Sequence, residues 1–164
     1  MLPWDYDGCF GSFPPNAVVS SFVDSKDVVN AGIDSPLGII KDEDRPMWNW
    51  ILSDKTYLKE YHDVLAELTD VIGLGEYEKE AGRVYDLILP YIDKDKKTPY
   101  SSDRFIKAKE TLIQISELRA KSIHRQLSGQ LPARSEDQAE EDKVDTSGIF
   151  IKDMGSAHDA ASGN

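Results

Sequence analysis

Residues 101 to 129 read SSDRFIKAKETLIQISELRAKSIHRQLSG, and this stretch decides the fold class. Ser101 is placed as an N-cap, Asp103 favours the positive end of a helix dipole, and Tyr100 precedes the cap where it can staple onto Phe105. Phe105, Ala108, Leu112, Ile115 and Leu118 recur at steps of three and four residues, and the stripe drifts to Ala120, Ile123 and Leu127. Lys121, His124 and Arg125 complement the negative end, and Gly129 suits the position just past the last turn. The spacing predicts one helix over 101–128, about seven turns long.

The same period runs upstream as far as Arg45. Pro46 suits a first helical turn, and Met47-Trp48-Asn49-Trp50-Ile51-Leu52 predicts a short apolar helix over 46–52. Ser53 or Asp54 can cap a helix over 54–72, whose apolar positions are Tyr57, Leu58, Tyr61, Leu65, Leu68 and Ile72. Gly73 and Gly75 stop it. A helix over 76–89 carries Tyr77, Ala81, Val84 and Ile88 on one side, and Pro90 ends or kinks it. Asp93-Lys94-Asp95-Lys96-Lys97 reads as a solvated connector.

Outside this helical block the pattern fades. Residues 12 to 45 mix Pro14-Pro15, scattered Val and Ser, and Lys41-Asp42-Glu43-Asp44, which reads as a long ordered loop. From Pro132 the apolar content drops and eight acids face three bases, so disorder is expected. Three parts follow: a loop and extended segment over 1–45, a four-helix unit over 46–131 and an acidic disordered tail over 132–164. No internal repeat is present.

Composition narrows the function. A net charge of −11 argues against nucleic acid, whose phosphates call for a basic stripe, and against an anionic membrane surface. Cys9 is the sole cysteine, so an intrachain disulfide and a cysteine-based zinc site are excluded. No apolar run has the length of a membrane span. The N-terminal residues lack the basic and apolar regions of a signal peptide.

The densest chemistry is Trp4-Asp5-Tyr6-Asp7-Gly8-Cys9-Phe10-Gly11. Two carboxylates two residues apart, followed by glycine, suit a hard cation such as Mg²⁺ and allow close approach of a phosphate. On spacing alone the same residues also read as a turn in which Asp caps backbone groups before Gly8. Cys9 has no histidine beside it and reads as packing. His62, His124 and His158 are scattered, which favours surface or capping roles. Trp48 and Trp50 read as core or interface.

Several segments taken in order carry a family resemblance. They are Trp4-Asp5-Tyr6-Asp7 with Phe10-Gly11, Ile33-Asp34-Ser35-Pro36, Arg45-Pro46-Met47 and Tyr57-Leu58-Lys59-Glu60-Tyr61-His62. Leu118-Arg119-Ala120-Lys121-Ser122-Ile123 and Gln126-Leu127-Ser128-Gly129 complete the set. Together they resemble the C-terminal part of the CotH family, the spore-coat protein H kinases. The resemblance implies a mainly α-helical C-terminal lobe of an atypical protein-kinase-like fold, which transfers phosphate from ATP to serines of coat proteins. It implies that Asp5 holds Mg²⁺ or Mn²⁺ where ordinary kinases use their DFG aspartate, with Asp7 as an auxiliary ligand. It also implies a bacterial spore coat or cell surface as the setting.

The family's nucleotide-gripping lobe, phosphate-contacting basic residue and catalytic-base Asp precede the Trp-Asp motif, and no residue here matches them. ATP and metal are therefore expected to bind tightly only in a complete member, and the chain alone is expected to be inactive. The missing N-terminal lobe or a partner chain is expected to cover the helices. A non-catalytic helical interaction module is the main alternative. Asp5-Tyr6-Asp7-Gly8-Cys9-Phe10 is also similar to the first motif of haloacid-dehalogenase-type phosphatases, where one Asp is the nucleophile. That fold needs an apolar strand before the motif and parallel strands after it, whereas Pro3 precedes the motif and residues 46 to 130 are helical in pattern.

Overall fold

The computed structural model describes residues 24–35, 44–73, 75–95 and 100–155. Five helices are present among them: α1 (Ser25–Asn30), α2 (Pro46–Ser53), α3 (Lys55–Gly73), α4 (Glu76–Ile92) and α5 (Ser102–Leu127). Single 3₁₀ turns follow at Ser135–Asp137 and Ile151–Met154. No strand occurs among the described residues, so the mainly helical fold class holds.

α5 is the axis of the molecule. At 26 residues it runs about 39 Å, and α1, α3, α4 and the Ile151–Met154 turn all pack on it. Its cap is the expected one, with Ser101 Oγ accepting from Arg104 N at 3.3 Å. At the other end Gly129 takes a positive φ of 74°, and Gln130 N and Leu131 N both donate to Arg125 O. The chain thereby turns back along the helix it has just left, and Leu131 is fully buried.

The predicted apolar stripe of α5 is the buried one. Ile115, Ala120 and Ile123 are buried, and Phe105, Ala108, Leu112, Leu118 and Leu127 are half-buried. α3 follows with Asp54 as its cap, Oδ1 accepting from Thr56 N at 2.8 Å and Tyr57 N at 3.3 Å. Its stripe divides. Leu58, Tyr61, Leu65 and Ile72 turn inward, whereas Tyr57 and Leu68 stay exposed.

α4 buries a different face from the one on which Val84 and Ile88 lie. Tyr85 is its buried residue, stacked on Phe105 with ring centroids 5.0 Å apart, while Val84, Leu87, Ile88 and Tyr91 face solvent. Lys109 Nζ sits 4.5 Å over the Tyr85 ring from the neighbouring helix. Pro90 stands inside α4, which ends two residues later at Ile92.

Two expectations are corrected. The segment before Arg45, expected to be a loop throughout, contains α1, capped by Asp24 Oδ1 accepting from Lys26 N at 3.1 Å. The stretch after Pro132, expected to be disordered, is folded onto the helices through residue 155, while 156–164 lie outside the described residues. Val144 packs with Val29 and Ile115 in the core cluster, with Val28, Leu118 and Ile149 around it. A few well-placed apolar residues anchor this acidic segment, and its acids from Glu136 to Asp145 face outward. Composition averaged over the segment hides such anchors.

Candidate functional site

Asp5 and Asp7, the expected metal ligands, lie outside the described residues. Among the described residues no group of three or more His, Cys, Asp or Glu side chains is placed to hold a metal ion.

The structure does bring the other motif segments together, at the loop over residues 31–35 that follows α1. Ile33 is buried there, its N–H donating to Gln126 Oε1 at 2.8 Å and its carbonyl accepting from Tyr61 Oη at 2.8 Å. Asp34 Oδ1 lies 2.7 Å from His62 Nε2. Gln126 Nε2 in turn donates to Ala31 O and to Ser122 Oγ. Trp48, next to Arg45-Pro46-Met47, meets Tyr61 edge-on with centroids 5.2 Å apart. Its indole Nε1 is buried without a hydrogen-bond partner among the described residues.

Arg119 is the charged group at the centre of this junction. Its Nη1 donates to Val29 O at 3.1 Å and to Ala31 O, carbonyls at the C-terminal end of α1. A cation there complements the helix dipole and satisfies acceptors that the helix leaves open. Burial pushes the Arg119 guanidinium down to about 10, still charged at neutral pH. Burial, followed by the charge of Asp34, pushes the Tyr61 phenol up to about 12, so it stays a neutral donor to Ile33 O.

A second layer ties the same loop to the C-terminal segment. Asp34 N donates to Ala133 O at 2.8 Å, and Gly32 N donates to Ser135 Oγ at 2.7 Å. Gly32 is required by space: a Cβ there would lie 2.5 Å from Ser135 N and from Ser35 Oγ. Asn30, buried, pairs with both backbone groups of Val144 as a neighbouring strand would, donating from Nδ2 at 3.0 Å and accepting at Oδ1 at 2.8 Å.

This junction has no nucleophile or open metal site. Its chemistry is positional: it fixes the chain immediately downstream of residues 1–23, where the Asp5 motif lies. His62 is thus paired to a carboxylate, and His124 lies 3.5 Å from Asp70, in keeping with structural roles for both. Sequence reasoning named Asp34, Arg119 and Gln126 only as parts of motifs, read Tyr61 also as a stripe position of its helix, and missed Asn30. The available signal was a run of polar residues, Arg119, Ser122 and Gln126, on the face that α5 otherwise fills with Ile115, Leu118 and Ile123.

An open groove of about 930 Å³ lies between the α3–α4 turn and the end of α5. Its lining holds the acids Glu78 and Glu117 together with Lys121, His124 and Arg125, a mixed-sign set that selects neither anion nor cation.

A family model described as CotH kinase protein matches residues 1–123, which include the Asp5 motif and most of the helical unit. No curated protein and no solved structure matches the chain. With three quarters of its residues matched, the chain belongs to the CotH kinase protein family.

Proposed function

We propose that this chain supplies the metal-binding aspartate motif and the helical lobe of a kinase that transfers phosphate from ATP to serine hydroxyls of spore-coat proteins. The observation that carries the reading is the continuous family match from residue 1 to residue 123. Asp5 and Asp7 are the ligands assigned to Mg²⁺ or Mn²⁺, since hard carboxylate oxygens suit those ions. Asp5 and Asp7 would hold the ion, which would supply electrostatic neutralisation of the charge that develops during transfer.

The residues of the helical lobe act by position. Arg119, Gln126 and Tyr61 hold the 31–35 loop against α3 and α5, and the Asp34–His62 pair closes its outer side. Phosphoryl transfer depends on placing donor, acceptor and metal, so a rigid helical junction downstream of the aspartate motif in sequence serves the rate without touching the phosphates.

No residue of residues 1–164 matches the family's phosphate-contacting basic residue or its catalytic-base Asp, and in this reading they lie, with the nucleotide-gripping lobe, on further sequence upstream of the Trp-Asp motif. The test is incubation with labelled ATP, Mg²⁺ or Mn²⁺ and a serine-rich coat-protein peptide. The chain of residues 1–164 gives no labelling, and a longer polypeptide that carries it together with that lobe labels serine. Robust labelling by the isolated chain, abolished in Asp5→Asn, would refute the division of labour. A longer polypeptide that labels nothing would refute the kinase reading.

A further inference from the structure

α3 carries a second apolar row that no part of the described structure covers. Tyr57, Val64, Leu68 and Val71 are spaced to lie on one face of the helix, and Val64, Leu68 and Val71 are each more than half exposed. Trp50 of α2 extends the row, its ring 4.7 Å from that of Tyr57 and 57% exposed. From Tyr57 to Val71 the row spans about 21 Å, the length of four helical turns. Single exposed apolar residues are ordinary, but an aligned set bordered by charge marks an interaction surface.

The border has one sign. Glu60, Asp63, Glu67 and Asp70 follow at steps of three and four residues, a row of acids along one edge of the apolar face. All four are exposed. Lys59 pairs with Asp63 and His124 lies near Asp70, while Glu60 and Glu67 meet no cation among the described residues. The exposed row on α4 (Val84, Leu87, Ile88, Tyr91) lacks such a border, since Glu80 and Arg83 pair beside it.

We propose that this face of α3 is a docking surface for a basic amphipathic helix of a partner protein. The partner's apolar residues, at i, i+3, i+4 and i+7, lie along Tyr57, Val64, Leu68 and Val71. Its Lys or Arg side chains reach Glu60 and Glu67. Helix-in-groove recognition reads such anchors, and the acidic row sets the orientation and the charge of the partner. The surface is remote in sequence from the Asp5 motif, and its use is independent of whether that motif binds metal.

The test uses residues 1–164 and an 18-residue helical peptide with Leu at the four-anchor spacing and Lys on its flanks. Titration calorimetry is expected to give micromolar binding that weakens as salt is raised. Val64→Ser with Leu68→Ser abolishes it, and Glu60→Lys with Glu67→Lys weakens it by about tenfold or more. All four positions are exposed, and circular dichroism checks that the fold is kept. The proposal is overturned if a Glu-flanked version of the peptide binds equally well, or if neither pair of substitutions changes affinity. It is also overturned if sedimentation shows a dimer of the chain that Leu68→Ser dissolves, because the occupant is then a second copy.

Discussion

Replacing Asn30 by Ala is expected to loosen the whole C-terminal segment. Asn30 is 2% exposed and makes four side-chain hydrogen bonds: Nδ2 to Lys26 O and Val144 O, and Oδ1 from Val144 N and Ser122 Oγ. Ser122 still accepts from Gln126 Nε2, but its buried O–H loses Asn30 Oδ1 as acceptor. Val144, 3% exposed, is left with a buried N–H and a buried carbonyl, each costing about 1–3 kcal/mol. Some water entry offsets this, and the expected net loss is about 3 kcal/mol, a large part of the ~5–15 kcal/mol typical of a domain.

Urea denaturation followed by far-UV circular dichroism measures that loss. Asn30→Asp adds a sign test. Its carboxylate keeps the bond from Val144 N but faces the carbonyls of Lys26 and Val144, so its folded pKa rises above the unfolded value of about 3.9. The deficit against wild type is full above the folded value and shrinks as pH falls towards the unfolded one. A loss under about 0.5 kcal/mol in Asn30→Ala, with residues 131–151 as protease-resistant as before, would refute the clasp between α1 and the C-terminal segment.

Three further outcomes follow from the same geometry. Gly32→Ala forces a Cβ to within 2.7 Å of Ala133 O and closer still to Ser135 N, and is expected to cost about 1–3 kcal/mol in the same unfolding experiment. The Glu140 carboxyl is held down to about 2 by hydrogen bonds from Lys143 and Lys26, so its contribution is present above its ordinary range and fades as pH falls towards 2. An NMR titration places its midpoint near 2, and Lys26→Met moves it upward. Tyr61→Phe removes the bond to Ile33 O, costs about 1 kcal/mol, and removes a phenol with a midpoint near 12 from the ultraviolet titration.

The four main helices were legible because their signals are local. Ser101 and Asp54 cap, Gly75 and Gly129 take positive φ, and the period between them is helical. Which face each helix buries was less legible, since α3 and α4 each carry two apolar rows and only tertiary packing chooses between them. α1 is six residues long, too short for a periodic pattern, and stands on Arg119 and Asn30 rather than on its own propensity. The order of the segment after Leu131 rests on contacts more than 100 residues apart in sequence, such as Asn30 with Val144, which no local window contains.

The candidate site was legible in a different way. Residue type and spacing raised Asp5 and Asp7 as carboxylate ligands, but the same spacing fits a turn, and the metal role belongs to the proposed function. The junction at Ile33 was visible as motif fragments without a reason for their order. Its reason is that Asp34, Tyr61, Arg119 and Gln126 meet around one loop.

The most direct measurement of the central claim compares Asp5→Asn with Asp7→Asn in a longer polypeptide that joins residues 1–164 to the nucleotide-gripping lobe. Phosphate transfer to a serine-rich coat-protein peptide is read from labelled ATP. On the proposed assignment, Asp5→Asn keeps the side-chain shape and removes the charge assigned to hold the metal, so turnover is expected to fall by at least ~100-fold. Asp7→Asn is expected to cost much less, because a carbonyl oxygen still ligates or holds a bound water. Wild-type turnover in Asp5→Asn with a dead Asp7→Asn would reverse the assignment, and full activity in both would show that Trp4-Asp5-Tyr6-Asp7 is only a turn.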